Sequence, residues 1–262
     1  MEHQIQNAKL TLTASTDGGL LRGIRRADGQ ELIWGGDAAI WGNRAPVCFP
    51  WCGKIADNRY EHDGVSRTVS TRHGFVRDVQ HELASRSDAE MTFRLDWAGD
   101  ESWPWQFTFY TTHKLEGERA FTVCAAVNRS ETAMPVQFGF HPAFRCPFVA
   151  GSEIEEYAVR FADGQVIDMT RNVFDNDSIA IDGGGAWARL EHTPSGRYIE
   201  VDNAGWFTTL LWSKPGIPGF VCIEPWDGYV NEEHELLKRP GTRLLAPGER
   251  REWTLVMDFS HM

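Results

Sequence analysis

Glu224 closes the apolar run Val221-Cys222-Ile223 and is followed by Pro225 and Trp226. A carboxylate at the end of a run that reads as a buried strand is costly to desolvate unless it is paired or used. The run predicts a strand that stops at Pro225, with Trp226 offering a flat face beside the acid. His141 stands before Pro142 in "GFHPAFRCPF", surrounded by Phe138, Phe140 and Phe144. The proline biases His141 toward extended backbone. An imidazole with an ordinary pKa of about 6.5 changes charge close to neutrality. A hydrogen-bonded core histidine is the competing reading of the same pattern. Arg44 and His73 are two further candidates, in "WGNRAPVCFPWCGKIADNRY" and "TRHGFVRD". Pro46 and Pro50 exclude the middle of a central strand, so this segment is an edge or a loop, where binding groups collect. A surface arginine and a turn histidine are the alternatives there.

The elements that must position these groups repeat with a period of two. "EMTFRLDW" puts Met91, Phe93, Leu95 and Trp97 on one face, "WQFTFYTT" does so with Trp105, Phe107 and Phe109, and "EWTLVMDF" with Trp253, Leu255, Met257 and Phe259. "RAFTVCAAV", "RYIEVDN" and "GWFTTLLW" read as further strands. Such alternation marks half-buried antiparallel strands. Turn signals such as "TDGG", "WGGD", "LEGE", "TPSG" and "APGE" punctuate them. "NEEHELLKR" has length for a helical turn or two at most. The chain therefore reads as all-β, a large sandwich or barrel, with no linker or composition break inside residues 1–262, hence one domain.

The bulk composition excludes several functions. A formal net charge of −11 argues against nucleic acid or an anionic membrane as partner. Eleven tryptophans supply flat apolar surfaces, mostly for packing, of the kind sugar clefts also use. Five widely spaced cysteines do not form a disulfide framework, and the C-x3-C pair Cys48/Cys52 lacks a second pair to complete a zinc site. Isolated buried thiols and no metal are expected. "MEHQIQNAKL" shows no signal peptide and no apolar run reaches the roughly 18–20 residues of a membrane span, so a reduced, cytoplasmic protein is expected. Phosphate-loop, dinucleotide-binding, H-E-x-x-H and G-x-S-x-G patterns are absent.

Taken together, "NRAPVCFPWCGK", "HGFVRD", "FGFHPAF", "VCIEPWDG" and "LAPGERREWTLVMDF" resemble, in order and spacing, five segments of the aldose 1-epimerase (galactose mutarotase-like) family. The resemblance covers about residues 30 to 262. "WCGK" after Phe49-Pro50 departs from that family's more usual apolar pair. The resemblance implies a β-supersandwich with an open cleft for a small-molecule sugar, and interconversion of aldose anomers without metal or organic cofactor. It implies Glu224 as the general base on the anomeric hydroxyl and His141 as the general acid on the ring oxygen. His73 and Arg44 are similar to the family's sugar-binding groups, with Trp212 lining the cleft. A carboxylate and a protonated imidazole suit those roles near neutral pH. A sugar-binding aspartate of that family has candidates in Asp163, Asp168, Asp175, Asp177, Asp182 and Asp202. Two alternatives share the fold. A hexose-phosphate epimerase would need a cationic cluster, for which Arg72 and Arg77 are candidates, and a non-catalytic sugar-binding module would keep the cleft without turnover.

Overall fold

The computed structural model describes residues 1–262, and it is built almost wholly from antiparallel strands, with four single 3-10 turns and no α-helix. No helix is long and apolar enough to cross a membrane. The predicted period-two runs form strands where expected. Glu90–Trp97, Phe107–Glu116, Arg119–Asn128 and Arg250–Asp258 are neighbours in a nine-stranded sheet. "NEEHELLKR" contributes one 3-10 turn, Leu236–Lys238.

A second, six-stranded sheet carries the candidate site. Its order is Ile179–Ile181, Thr208–Trp212, Phe220–Trp226, Gly139–Phe140, Val47–Cys48, with Ala143–Arg145 also paired to Phe220–Trp226. Val47–Cys48 is a two-residue edge strand between Pro46 and Pro50, as the prolines require. Side chains alternate across a strand, so register sorts the two faces. Val221, Ile223, Phe140 and Phe144 point into the main core of 55 buried residues, which runs from Ile5 to Phe259. There Phe49 meets Phe109 with ring centroids 4.9 Å apart, and Phe138 stacks on Trp253 at 4.5 Å, joining the two sheets. Cys222, Glu224 and Trp226 point to the opposite face.

Pro225 does not end its strand, contrary to the sequence expectation. Phe220–Trp226 runs through it, with Thr209 opposite. The amides of Ile223 and Asp227 donate to Pro142 and Phe138 carbonyls on the neighbouring segment. An amide at position 225 would therefore meet Phe140 O, and the Trp226 indole N–H donates to that oxygen instead, at 3.2 Å. The missing donor is replaced by the next side chain, and the ladder has no orphaned acceptor. Gly139 makes room for this: a Cβ there would lie 2.4 Å from the Trp226 ring.

Buried His113 ties the turn at Gly19 to the nine-stranded sheet, and buried His81 holds the 3-10 turn Val76–Asp78. His113 Nε2 donates to Gly19 O at 2.8 Å while its Nδ1 meets Thr122 Oγ1 at 3.1 Å, and His81 Nε2 donates to Val76 O. Burial pulls both imidazoles down to about 4. The unfolded chain takes up these protons at about 6.5, whereas the folded chain does not until about 4, so stability is full above the first value and is lost as pH falls toward the second. The melting temperature is expected to drop across this window. A melting temperature that stays flat from about pH 7 to about pH 4 would contradict the assignment of neutral, buried imidazoles.

Candidate active site

Glu224 and His141 meet on the site face of the six-stranded sheet. Gly139 sits opposite Trp226, and Ala143 opposite Cys222, so His141, between them, lies across from Glu224. Its amide donates to Pro46 O at 3.0 Å, which fixes the turn where the neighbouring strand breaks. His141 Nε2 stands 3.4 Å from Glu224 Oε2, with the two side chains 9% and 2% exposed. The contact is an approach of charged-capable groups rather than a well-formed hydrogen bond, and His141 Nδ1 has no partner.

The electrostatics follow from this burial. Desolvation raises Glu224 well above the usual carboxylate range. Burial, followed by the nearby charges of His73 and Arg77, holds His141 well below the usual imidazole range. Both shifts disfavour the charged form. Burial therefore favours the protonated carboxyl on Glu224 and the neutral imidazole on His141.

His73 is brought to the same place. Its ring lies edge-on to His141 at 5.6 Å and to Trp226 at 5.4 Å. Gly53 N–H donates to His73 Nδ1 at 3.1 Å, and Cys48 Sγ lies 3.3 Å from the same nitrogen. Acceptance at Nδ1 leaves the ring's proton on Nε2, the free edge. The loop is strapped down around it: His73 N–H donates to Gly53 O, and a Cβ on Gly74 would lie 1.8 Å from Phe49 O. His73 itself has φ +64°, a left-handed backbone that few side chains adopt.

Trp212, across from Cys222 on the next strand, is 5.7 Å from His141 in an edge-on arrangement. Arg44 lies beside the His141 segment, its carbonyl accepting from Ala143 N–H at 2.8 Å. Its Nη1 donates to Arg22 O at 2.6 Å and its side chain lies against Gly36, at the base of the loop over residues 35–43. Among the six aspartates, Asp177 is the one whose charge acts on Glu224.

Three neighbours of the pair have no signal in the sequence. Trp41, in the 35–43 loop, stacks on His141 at 5.2 Å and on Phe220 at 5.2 Å, and meets Trp212 edge-on at 5.3 Å. Trp34 Nε1 holds the loop by donating to Trp41 O at 2.9 Å. The cleft is thus covered rather than open. The other two are Cys48 and Cys222. All five cysteines are free and buried, as expected, but Cys48 and Cys222 are not isolated, since they adjoin His73 and Glu224.

Comparison with known proteins follows this geometry. A family model described as aldose 1-epimerase matches residues 1–258. Protein LacX of Lactococcus lactis subsp. lactis is 27% identical over 263 residues, covering 87% of this chain and 88% of that protein. A galactose mutarotase related enzyme from Lactobacillus acidophilus superposes with a TM-score of 0.92 at 22% identity, covering 99% of this chain and 97% of that one. A galactose mutarotase-like protein from Lactobacillus casei gives 0.88 at 23% identity, covering 98% and 99%. The two structures establish the all-β, galactose mutarotase-like fold.

Aromatic pairs of this kind contribute about 0.5–1.5 kcal/mol each, so the Trp41 cover is held by an amount that ligand contacts can displace. Diethyl pyrocarbonate should acylate His141 slowly in the intact protein and several-fold faster in Trp41→Ala, read by mass spectrometry of the His141 peptide. Equal rates in the two proteins would show that Trp41 does not cover the imidazole.

Proposed function

The chain belongs to the aldose 1-epimerase family, and we propose that it interconverts the α and β anomers of a free aldose, with Glu224 and His141 exchanging the protons. The observation that carries this reading is the buried 3.4 Å approach of His141 Nε2 to Glu224 Oε2. Ring opening removes the proton from the anomeric hydroxyl, breaks the bond between C1 and the ring oxygen, and protonates that oxygen. Rotation about the C1–C2 bond and reclosure with the roles reversed complete the reaction, with no net gain or loss of protons. Two groups sharing one proton are sufficient. In the closed site burial favours protonated Glu224 and neutral His141. When sugar hydroxyls replace the Trp41 ring, they solvate charge, and the proton crosses to His141, giving the carboxylate base and imidazolium acid that the first step needs.

The remaining roles follow from position. His73 Nε2–H donates to a sugar oxygen, and Trp212 supplies an apolar wall beside it. Arg44 serves the sugar through the loop whose base it holds. Asp177 is the candidate for a hydroxyl-binding carboxylate, its charge acting on Glu224. The core drawn from Ile5 to Phe259 supports one working unit over residues 1–262. Five free cysteines support a reducing, cytoplasmic setting. A hexose-phosphate substrate is the second reading, and the observation in its favour is that the Arg77 charge acts on both Glu224 and His141. Comparing rates on glucose and glucose 6-phosphate discriminates the two.

Glu224→Gln and His141→Asn should each slow anomer interconversion by roughly 10²–10⁴, the range of general acid–base contributions, with circular dichroism unchanged. Polarimetry or exchange NMR over a panel of aldoses reads the rate above the uncatalysed one. Unchanged rates in both variants would sink the assignment. The pH profile has a definite sign as well. The rate is highest where the pair carries one proton, between the lowered His141 value and the raised Glu224 value. It falls on the acid side as His141 gains a second proton for the pair, and on the alkaline side as the last proton leaves.

A further inference from the structure

We propose that His141, Cys222 and Glu224 form a binding site for a borderline divalent ion of the Zn²⁺ class, and that ion occupancy excludes sugar turnover. The imidazole nitrogen, the thiol sulfur and a carboxylate oxygen of these three buried residues all lie within 4.8 Å of one another. Nitrogen, sulfur and oxygen donors in one pocket are the set that Zn²⁺ accepts, and harder ions such as Mg²⁺ do not take thiolate. The spacing fits as well. Two ligands at about 2.0–2.2 Å from one ion, at a tetrahedral angle, stand about 3.4 Å apart. His141 Nε2 and Glu224 Oε2 are separated by 3.4 Å without forming a well-made hydrogen bond.

The frame that holds the three groups is rigid. Cys222 and Glu224 are two residues apart on the Phe220–Trp226 strand and so share a face. His141 comes from the segment paired to that strand on both sides, through Gly139 with Trp226 and Ala143 with Cys222. Sulfur needs to close on the nitrogen and oxygen by roughly 1 Å to reach bonding distance, a rotamer-scale movement of a short side chain. The charge balance suits a buried site. The thiol and the carboxyl each release a proton to solvent, the imidazole binds neutral, and a divalent cation with two anionic ligands leaves no net charge. Three protein ligands leave a fourth position for water or another small donor.

Exclusion of turnover rests on the proposed epimerase reading, since the ion occupies the His141 lone pair and the Glu224 carboxylate that the sugar protons need. Ion binding itself does not depend on that reading. The test is titration of the metal-free, reduced protein with Co²⁺ as a spectroscopic probe, followed by Zn²⁺ competition. One Co²⁺ per chain should give a thiolate-to-cobalt charge-transfer band in the near ultraviolet, and Zn²⁺ should abolish it. Cys222→Ser should lose the band, Cys48→Ser should keep it, and His141→Asn should keep it but require at least about tenfold more Co²⁺. Absence of the band in the intact protein would overturn the site. So would a band that survives Cys222→Ser and disappears in Cys48→Ser. In mutarotation assays, Zn²⁺ should suppress the rate at about one ion per chain and a chelator should restore it. Full activity with bound Zn²⁺ would overturn the exclusion. If the metal-free protein does not accelerate mutarotation, the epimerase reading fails, while the cobalt band still decides the site.

Discussion

An acid and a base held 3.4 Å apart with almost no water set the terms for the rest of this molecule. In water such a pair would ionise separately and exchange protons with solvent. Buried, each member resists charge, which favours a protonated carboxyl on Glu224 and a neutral imidazole on His141. The surrounding chain serves to keep the pair dry, aligned and reachable. The main core beneath the six-stranded sheet makes the floor rigid, while Trp41, Trp212 and Phe220 close the top with flat apolar rings.

Alignment comes from a register that is held across a local break in pairing. The segment beside Phe220–Trp226 pairs at Gly139, breaks at His141-Pro142, and pairs again at Ala143. The register is the same on both sides of the break, so His141 stays opposite Glu224 on the site face, and at Pro225 the Trp226 indole supplies the donor that the ladder lacks. His73 is aimed by a left-handed backbone and an amide from Gly53 that occupies its inner nitrogen.

Much of this was legible in the sequence because it is local. Alternation of large apolar residues in "EMTFRLDW" and "EWTLVMDF" is a property of consecutive residues, and the strands follow it. Glu224 and His141 stood out because each is a titratable group inside an apolar stretch. The parts that were not legible depend on distant partners. Cys222 reads as one more buried strand residue until the fold sets it beside Glu224 and His141. Trp41 lies in a loop with no period, and its place over His141 follows from contacts with Phe220 and Trp212, more than a hundred residues away in sequence. Pro225 reads as a terminator because the compensating donor is a side chain, which no backbone rule anticipates. Arg44 reads as a sugar-binding group from the family resemblance, and the fold adds a donation from its Nη1 to Arg22 O that the sequence does not announce.

In the proposed reaction the proton rests on Glu224 in the closed site and passes to His141 when sugar enters. Infrared difference spectroscopy on protein with isotope-labelled glutamate carboxyls reads this directly, with Glu224→Gln as the subtraction. The expected result is a protonated-carboxyl band at neutral pH that belongs to Glu224 and gives way to a carboxylate band when an aldose is added. A Glu224 that is ionised in the sugar-free protein, or protonated with and without sugar, would contradict it.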